Sequence, residues 1–120
     1  MDDNMKKLMI AKNCKIEEGL AIYDFMNVIV GKWRIPIIGC IMNENHRYTD
    51  IHKQIPAITP RMLSKELKEL EINGIVIRTV KSTIPVTIHY SLSNSARELE
   101  PIFMQIIEWG MRHRMATLER

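Results

Sequence analysis

The stretch ITPRMLSKELKELEINGIV, residues 58–76, constrains the fold most, because both ends of a helix are marked in it. Thr59 suits the N-cap position, where a hydroxyl accepts a hydrogen bond from a free backbone N–H. Pro60 suits the first helical position, where its missing N–H costs nothing. Asn73 and Gly74 supply a C-cap. The sequence therefore predicts a helix over about residues 59–72.

This helix has two contrasting faces. At about 100° per residue, Leu63, Leu67 and Leu70 fall within one narrow arc, which predicts a buried stripe. Four polar residues fall on the opposite side: Arg61, Ser64, Lys65 and Lys68. The outer face either meets solvent, with its cations paired to Glu66, Glu69 and Glu71 along the helix, or binds a partner.

The surrounding chain predicts further elements. Helices are expected over about residues 15–30, from about residue 32 to 42 with Pro36 in the first turn, and from Thr49, as N-cap, to the residues before Pro56. Two strands follow the capped helix, with a tip near residues 82–85 that includes Pro85. The second strand alternates and places one set of side chains on an inward face: Val86, Ile88, Tyr90 and Leu92. A last helix is expected from about residue 93–95 to 117, with a kink or restart at Pro101.

The predicted fold class is mainly α with a small β hairpin (α+β). At 120 residues, 46% hydrophobic and 26% charged, the chain predicts one folded domain over residues 15–120 and a loose arm over residues 1–14. Residues 21–30 are apolar nearly all round, so this helix must be covered on more than one side. A second subunit is a natural cover.

Several function classes are disfavoured. No metal-ligand spacing, glycine-rich phosphate loop or nucleophile motif is found, so we expect no metal, no cofactor and no enzymatic activity. The longest apolar stretch is too short to span a bilayer, and the start does not resemble a signal peptide. With two cysteines, we expect a cytoplasmic protein with reduced thiols. A net charge of +3 permits nucleic-acid binding without establishing it.

The order of elements favours binding over plain solvation of the basic face. A short helix, a tight turn and a capped helix form a helix-turn-helix arrangement, whose second helix can enter the major groove. A hairpin directly after it is a wing. Its tip, with Lys81, Ser82 and Thr83, suits phosphate or minor-groove contact.

Four segments carry a family resemblance: GKWRIPIIGCIM (31–42), RYTDIHKQIPAITPRMLSKELKELEINGIVIR (47–78), IPVTIHYSLS (84–93) and LEPIFMQIIEWG (99–110). In this order they resemble the HxlR-type winged helix-turn-helix regulators, which are related to the MarR group. The resemblance implies a bacterial homodimeric transcription factor that binds double-stranded DNA at a pseudo-palindromic operator. It also implies a recognition helix over residues 59–72, a wing over residues 75–92, and dimerisation helices at both ends of the domain.

The resemblance, together with the exposed basic face, gives the candidate DNA-binding residues. These are Lys32, Thr59, Pro60, Arg61, Ser64, Lys65, Lys68, Arg78, Lys81, Ser82 and Thr83. Trp33 matches the family tryptophan and is expected in the core as an orienting residue. Lys32 contacts either phosphate or solvent.

The cysteines depart from the family pattern. Many family members carry a cysteine about thirteen residues before this tryptophan, and some use it to sense oxidants or electrophiles; that spacing falls on Leu20 here. Cys14 is still a possible redox residue, through an intersubunit disulfide, whereas Cys40 is expected to be a small buried hydrophobe. Two alternative functions stay open: a protein-interaction module that binds an acidic partner, and a switch in which a thiol, an oxidant or a small molecule acts at the dimer interface.

Overall fold

The computed structural model describes residues 16–119, which form six helices and one antiparallel hairpin. The elements are α1 (Ile16–Val28), α2 (Arg34–Met42), α3 (Tyr48–Gln54), α4 (Pro60–Ile72), β1 (Val76–Lys81), β2 (Thr87–Leu92), α5 (Asn94–Arg97) and α6 (Leu99–Leu118). The predicted fold class is confirmed. The expected arm over residues 1–14, which includes Cys14, lies outside the described residues.

Helix α4 begins and ends as its sequence predicts. Thr59 Oγ1 accepts a hydrogen bond of 3.1 Å from the N–H of Met62, and Pro60 is the first helical residue. At the other end Gly74 has a φ of 74°, a left-handed conformation that glycine adopts without strain. The Ile75 N–H then donates to the Leu70 carbonyl at 2.9 Å, which is a Schellman closure. The chain therefore leaves α4 directly into β1.

Both prolines inside predicted helices lie in a first turn. Pro36 is the third residue of α2, and Pro101 is the third residue of α6. The first N–H groups of a helix have no intrahelical acceptor, so proline removes no bond there. The restart predicted at Pro101 is confirmed, because α5 ends at Arg97 and α6 begins at Leu99. Ser93 caps α5, its Oγ accepting from the Ala96 N–H at 3.1 Å.

The prediction that Thr49 caps α3 is wrong. The helix begins at Tyr48, its N-cap position is Arg47, and no side chain caps it. The cause lies in the preceding residue, because the Tyr90 N–H donates to the His46 carbonyl at 2.7 Å and His46 Nδ1 donates to the Tyr90 carbonyl at 3.0 Å. These two bonds hold residue 46 beside β2. The backbone then turns into the helix immediately after the extended Arg47.

The hairpin pairs Val76 with Leu92 at its base and Lys81 with Thr87 at its far end. Val76 and Leu92 are buried, and Tyr90 packs against the core. Val86, predicted to face inward, is 63% exposed. That expectation is wrong because strand pairing stops at Thr87, so Val86 belongs to the wing tip.

One hydrophobic core joins α2, α3, α4 and the base of the hairpin. Its buried members are Ile29, Ile37, Ile38, Ile41, Ile51, Ile58, Leu63, Leu67, Leu70, Val76, Leu92, Ala96 and Phe103. The predicted leucine stripe of α4 is confirmed, and Trp33 packs half-buried against the core as expected. Cys40 is half-buried rather than fully buried, because it lies on the side of α2 that faces an open cleft.

The two outer helices leave large apolar side chains uncovered. Exposed residues on α1 are Ile16, Leu20, Ile22 and Met26, and those on α6 are Ile102, Met104, Ile106, Ile107, Trp109, Met111, Met115 and Leu118. Phe103 is the buried residue of α6. None of the helices in residues 16–119 is both long and apolar enough to cross a bilayer.

Candidate nucleic-acid interface

The turn between α3 and α4 is held from inside. Ile58 is 2% exposed, and its N–H donates to the Ile55 carbonyl at 3.2 Å. His52 Nε2, on α3, donates to the Ile58 carbonyl at 3.0 Å. Because a buried apolar residue and a side-chain hydrogen bond both fix this turn, α4 has a defined position relative to α3.

Tyr48 fixes the start of α4 from the outside. Its hydroxyl donates to the Pro60 carbonyl at 2.7 Å, and Ser64 Oγ lies 3.4 Å from the same hydroxyl, to which it donates. The sequence around Tyr48 does not predict this role. Residues 48 and 60 belong to different elements, and no spacing rule connects them, so this contact becomes visible only in the folded chain.

All eleven candidate DNA-binding residues are exposed. Two of them shape α4, because the Thr59 hydroxyl is occupied by the Met62 N–H and Pro60 sets the first helical position. Four lie along the outer face of α4, opposite the buried leucines: Arg61, Ser64, Lys65 and Lys68. The others lie on the wing or at the start of α2.

A first cleft lies between α4 and the wing and has a volume of about 300 Å³. Ser64 and Lys68 line it from α4, and Arg78 and Tyr90 line it from the two strands. Arg78 and Tyr90 are directly paired across the hairpin. Leu67 and Glu71 line it as well, so the structure brings two cations, two hydroxyl groups and one carboxylate, from separate elements, to one concave surface.

A second cleft, of about 430 Å³, lies on the other side of α4. It brings Lys32 together with Lys65, above the apolar groups of Trp33 and Met62. Lys32 Nζ stands 4.8 Å from the centroid of the Trp33 ring, within the range of a cation–π contact. The basic face of α4 is therefore flanked by a cation-bearing cleft on either side.

Glu66 lines the second cleft with Lys32 and Lys65 but is paired with Arg34. Arg34 Nε donates to Glu66 Oε2 at 2.9 Å, and this is the sole ion pair within residues 16–119. Arg61, Lys65 and Lys68 accordingly have no carboxylate within ion-pair distance in that range. The alternative in which the cations of α4 pair with the helix's own glutamates is not what the structure shows.

The wing tip does not join either cleft. Lys81 is the last paired residue of β1, Ser82 and Thr83 follow it, and all three are exposed. Thr83 Oγ1 donates to the Pro85 carbonyl at 2.8 Å, and the Thr83 N–H donates to the Lys81 carbonyl at 2.8 Å. The tip is thereby folded back on itself, and its free groups are the Lys81 ammonium and the Ser82 hydroxyl.

Positive charges surround His89, in the middle of β2. The pKa of His89 lies below its ordinary value of 6.5, first because of desolvation and then because of the positive charges of Lys81 and Arg47 and the proximity of His46. These groups would favour an approaching polyanion. Across residues 16–119, no cluster of three or more His, Cys, Asp or Glu side chains could hold a metal ion.

A capped helix with a free basic face, a short helix fixed across its start, and a hairpin beside it define a winged helix-turn-helix DNA-binding domain. The chain belongs to the HxlR-like helix-turn-helix family, whose model matches residues 28–117. It is accordingly a transcriptional regulator of the helix-turn-helix type and not an enzyme, as the sequence predicted.

Known relatives agree with this membership. The uncharacterized HTH-type transcriptional regulator YybR of Bacillus subtilis is 38% identical over 98 residues, covering 82% of this chain and 78% of YybR. The redox regulator HypR in its reduced form superposes with a TM-score of 0.74 at 35% identity, covering 83% of this chain and 99% of HypR. The reduced transcriptional regulator YodB from B. subtilis gives a TM-score of 0.67 at 29% identity, covering 79% and 90%.

Proposed function

We propose that the chain is a bacterial regulator that binds a pseudo-palindromic operator as a homodimer, with α4 in the major groove of each half-site. One observation carries this proposal. Arg61, Lys65 and Lys68 lie exposed on a helix whose start is fixed by Thr59 and Tyr48, while the nearby Glu66 carboxylate is bonded to Arg34. A rigid helix with free cations on its outer face suits readout of base edges and phosphates.

The candidate residues take different roles in this arrangement. Arg61, in the first turn, would donate to a guanine edge, and Ser64 and Lys65 follow it on the same face. Lys68 and Arg78, on either side of the first cleft, would hold a backbone phosphate. Lys32 would contact a phosphate on the opposite side of α4. The wing, residues 75–92, would lie on the minor groove or the backbone, with Lys81, Ser82 and Thr83 nearest to it.

The uncovered apolar faces of α1 and α6 support the homodimer. Their side chains, such as Leu20 and Ile106, are about half exposed in the single chain. Isolated domains rarely expose contiguous apolar surface of this kind. In a homodimer, α1 and α6 of one copy would pack against α1 and α6 of the other and bury this apolar surface. The two-fold symmetry of such a dimer would match the two half-sites of the operator. Residues 15–120 would form the single domain and residues 1–14 an arm.

The test is a titration of the purified protein against duplex DNA from the region upstream of its own gene, at several salt concentrations. We expect saturable binding that is much tighter than binding to a scrambled duplex, and log affinity that falls linearly with log salt. Equal affinity for both duplexes, or none for either, would overturn the proposal. Capture of a stoichiometric acidic protein after nuclease treatment would favour the interaction-module alternative.

Control by an oxidant is a second candidate function, favoured by the redox regulator HypR among the neighbours and by the solved diamide-treated form of YodB. Burial raises the pKa of the Cys40 thiol above 9.0, which disfavours its reactive thiolate. Cys14 is therefore the better candidate, through a disulfide between subunits. Diamide should change DNA affinity in the parent protein and in Cys40→Ser, but not in Cys14→Ser. If diamide does not change the DNA affinity of the parent protein, oxidant control is excluded and DNA binding alone remains as the proposed function. In either case we propose that the protein acts in the cytoplasm.

A further inference from the structure

Arg34 contacts three separate elements at once. It is the first residue of α2, and its side chain is 18% exposed. Its Nε donates to Glu66 on α4 at 2.9 Å. One of its terminal amino groups donates to the carbonyls of Asn27 at 2.8 Å and Val28 at 3.0 Å. These two carbonyls belong to the last turn of α1.

The chemistry of each contact is favourable. The last carbonyls of a helix lack intrahelical donors and carry the negative end of its dipole, so a guanidinium suits the end of α1. Glu66 is 14% exposed and would otherwise be a partly buried carboxylate without a partner. The planar guanidinium has several donors and can therefore bond the end of α1 and the Glu66 carboxylate at the same time. A lysine ammonium, which is a point charge on a flexible stem, is poorly suited to do so.

We infer that Arg34 is a positioning residue that ties the end of α1 to α4, so that the helix carrying the uncovered apolar face and the helix carrying the basic face move as one unit. α1 and α4 are otherwise joined mainly through α2 and the core. This link between α1 and α4, called the Arg34 tie below, is formed by contacts within one chain. Its consequence for DNA recognition depends on the proposed function.

The same contact has an electrostatic consequence. Glu66 lies beside Lys32 and Lys65 at the second cleft, and Arg34 neutralises its charge. Release of this carboxylate would place a negative charge beside the phosphates of a bound duplex. Arg34 would thus contribute to DNA affinity without touching DNA.

Hydrogen exchange tests the tie directly, with no DNA present. In Glu66→Ala, backbone amides over residues 24–31 should exchange roughly tenfold faster, the scale set by losing a hydrogen bond to a charged group. Glu71→Ala is the matched control, since Glu71 is an exposed carboxylate on the same helix without an ion pair in residues 16–119. It should leave exchange over residues 24–31 unchanged. Unchanged exchange in Glu66→Ala, or an equal increase in both variants, would overturn the inference.

A double-mutant cycle on DNA affinity tests the consequence. Arg34→Ala should weaken operator binding roughly tenfold, and adding Glu66→Ala should restore part of that loss by removing the released charge. Arg34→Lys should keep most of the affinity while still raising exchange over residues 24–31. Strictly additive losses would exclude coupling through this pair. If the parent protein binds no duplex, the proposed function fails, and the exchange experiment still decides whether the tie exists.

Discussion

The hydroxyl of Tyr48 donates to the carbonyl of Pro60 across 2.7 Å, joining the first residue of α3 to the first residue of α4. Tyr48→Phe removes this bond and the one from Ser64. We expect the free energy of unfolding to fall by about 1 kcal/mol, the usual net contribution of a hydrogen bond. Operator affinity should fall as well, because the start of α4 is held less firmly.

Urea unfolding and DNA titration measure the two effects. For the unfolding measurement Tyr23→Phe is the matched control, since no hydrogen bond of the Tyr23 hydroxyl is found within residues 16–119; an equal loss of stability there would contradict the assignment.

Arg61 is the candidate for base recognition. Arg61→Ala should cost about 1–3 kcal/mol of operator binding and reduce discrimination at one base position. Arg97→Ala, which removes an exposed arginine from α5, is the control and should leave discrimination intact. Binding to a panel of single-base operator variants provides the measurement. A uniform loss across the whole panel would instead assign Arg61 to a phosphate.

Arg78, unlike Arg61, is expected to contribute affinity but no sequence discrimination. Because it faces Lys68 across the first cleft, we expect it to hold a phosphate, whose contact carries no sequence information. Arg78→Ala should weaken operator and scrambled DNA alike and reduce the slope of log affinity against log salt by about one. An unchanged salt slope, with a loss confined to the operator, would show that Arg78 does not contact the backbone.

Ile106 tests the dimer. It is 50% exposed on α6, so Ile106→Glu should leave the fold of a single chain intact while disrupting packing of two copies. Sedimentation should show a monomer with unchanged circular dichroism, and operator affinity should collapse. Glu108→Gln, a neighbouring exposed position, should remain dimeric. A stable dimer in Ile106→Glu would place the subunit interface elsewhere.

The depressed pKa of His89 predicts a pH dependence of stability. An unfolded chain takes up a proton at His89 near pH 6.5, whereas the folded chain resists it because of desolvation and nearby positive charge. Stability should therefore decrease as the pH falls below about 6.5, and this contribution should be lost completely once the pH is below the folded pKa. The contribution of His89 is isolated by comparing the urea midpoints of the parent protein and His89→Asn between pH 5 and 8. Parallel pH profiles would show that His89 makes no contribution.

The elements that the sequence predicted correctly are those whose causes lie within a few residues along the chain. The ends of α4 follow from the hydroxyl of Thr59, the ring of Pro60 and the missing side chain of Gly74, each of which acts within a few residues. The restart at Pro101 follows in the same way. The hairpin follows from alternation, and the DNA-binding class from the order of elements together with the family resemblance.

What failed depended on contacts between distant residues. Thr49 is a reasonable cap by its own chemistry, but His46 is bonded to Tyr90, and this pairing starts the helix one residue earlier. Val86 continues the alternation although the partner strand ends before it. Arg34 and Glu66 are 32 residues apart, so neither residue signals the other in a single sequence.

The connection between α4 and β1 is only residues 73–75, closed by the Ile75–Leu70 hydrogen bond and joined to the far strand by a bond of 2.9 Å from the Ser93 N–H to the Ile75 carbonyl. Because side chains in a strand alternate, an inserted residue that shifted β1 by one position against β2 would turn Arg78 away from the first cleft. The side to which Arg78 points therefore depends on the strand register that this connection helps to set. Divergence of operator preference among descendants of this protein should proceed by replacing side chains, while this connection keeps its length.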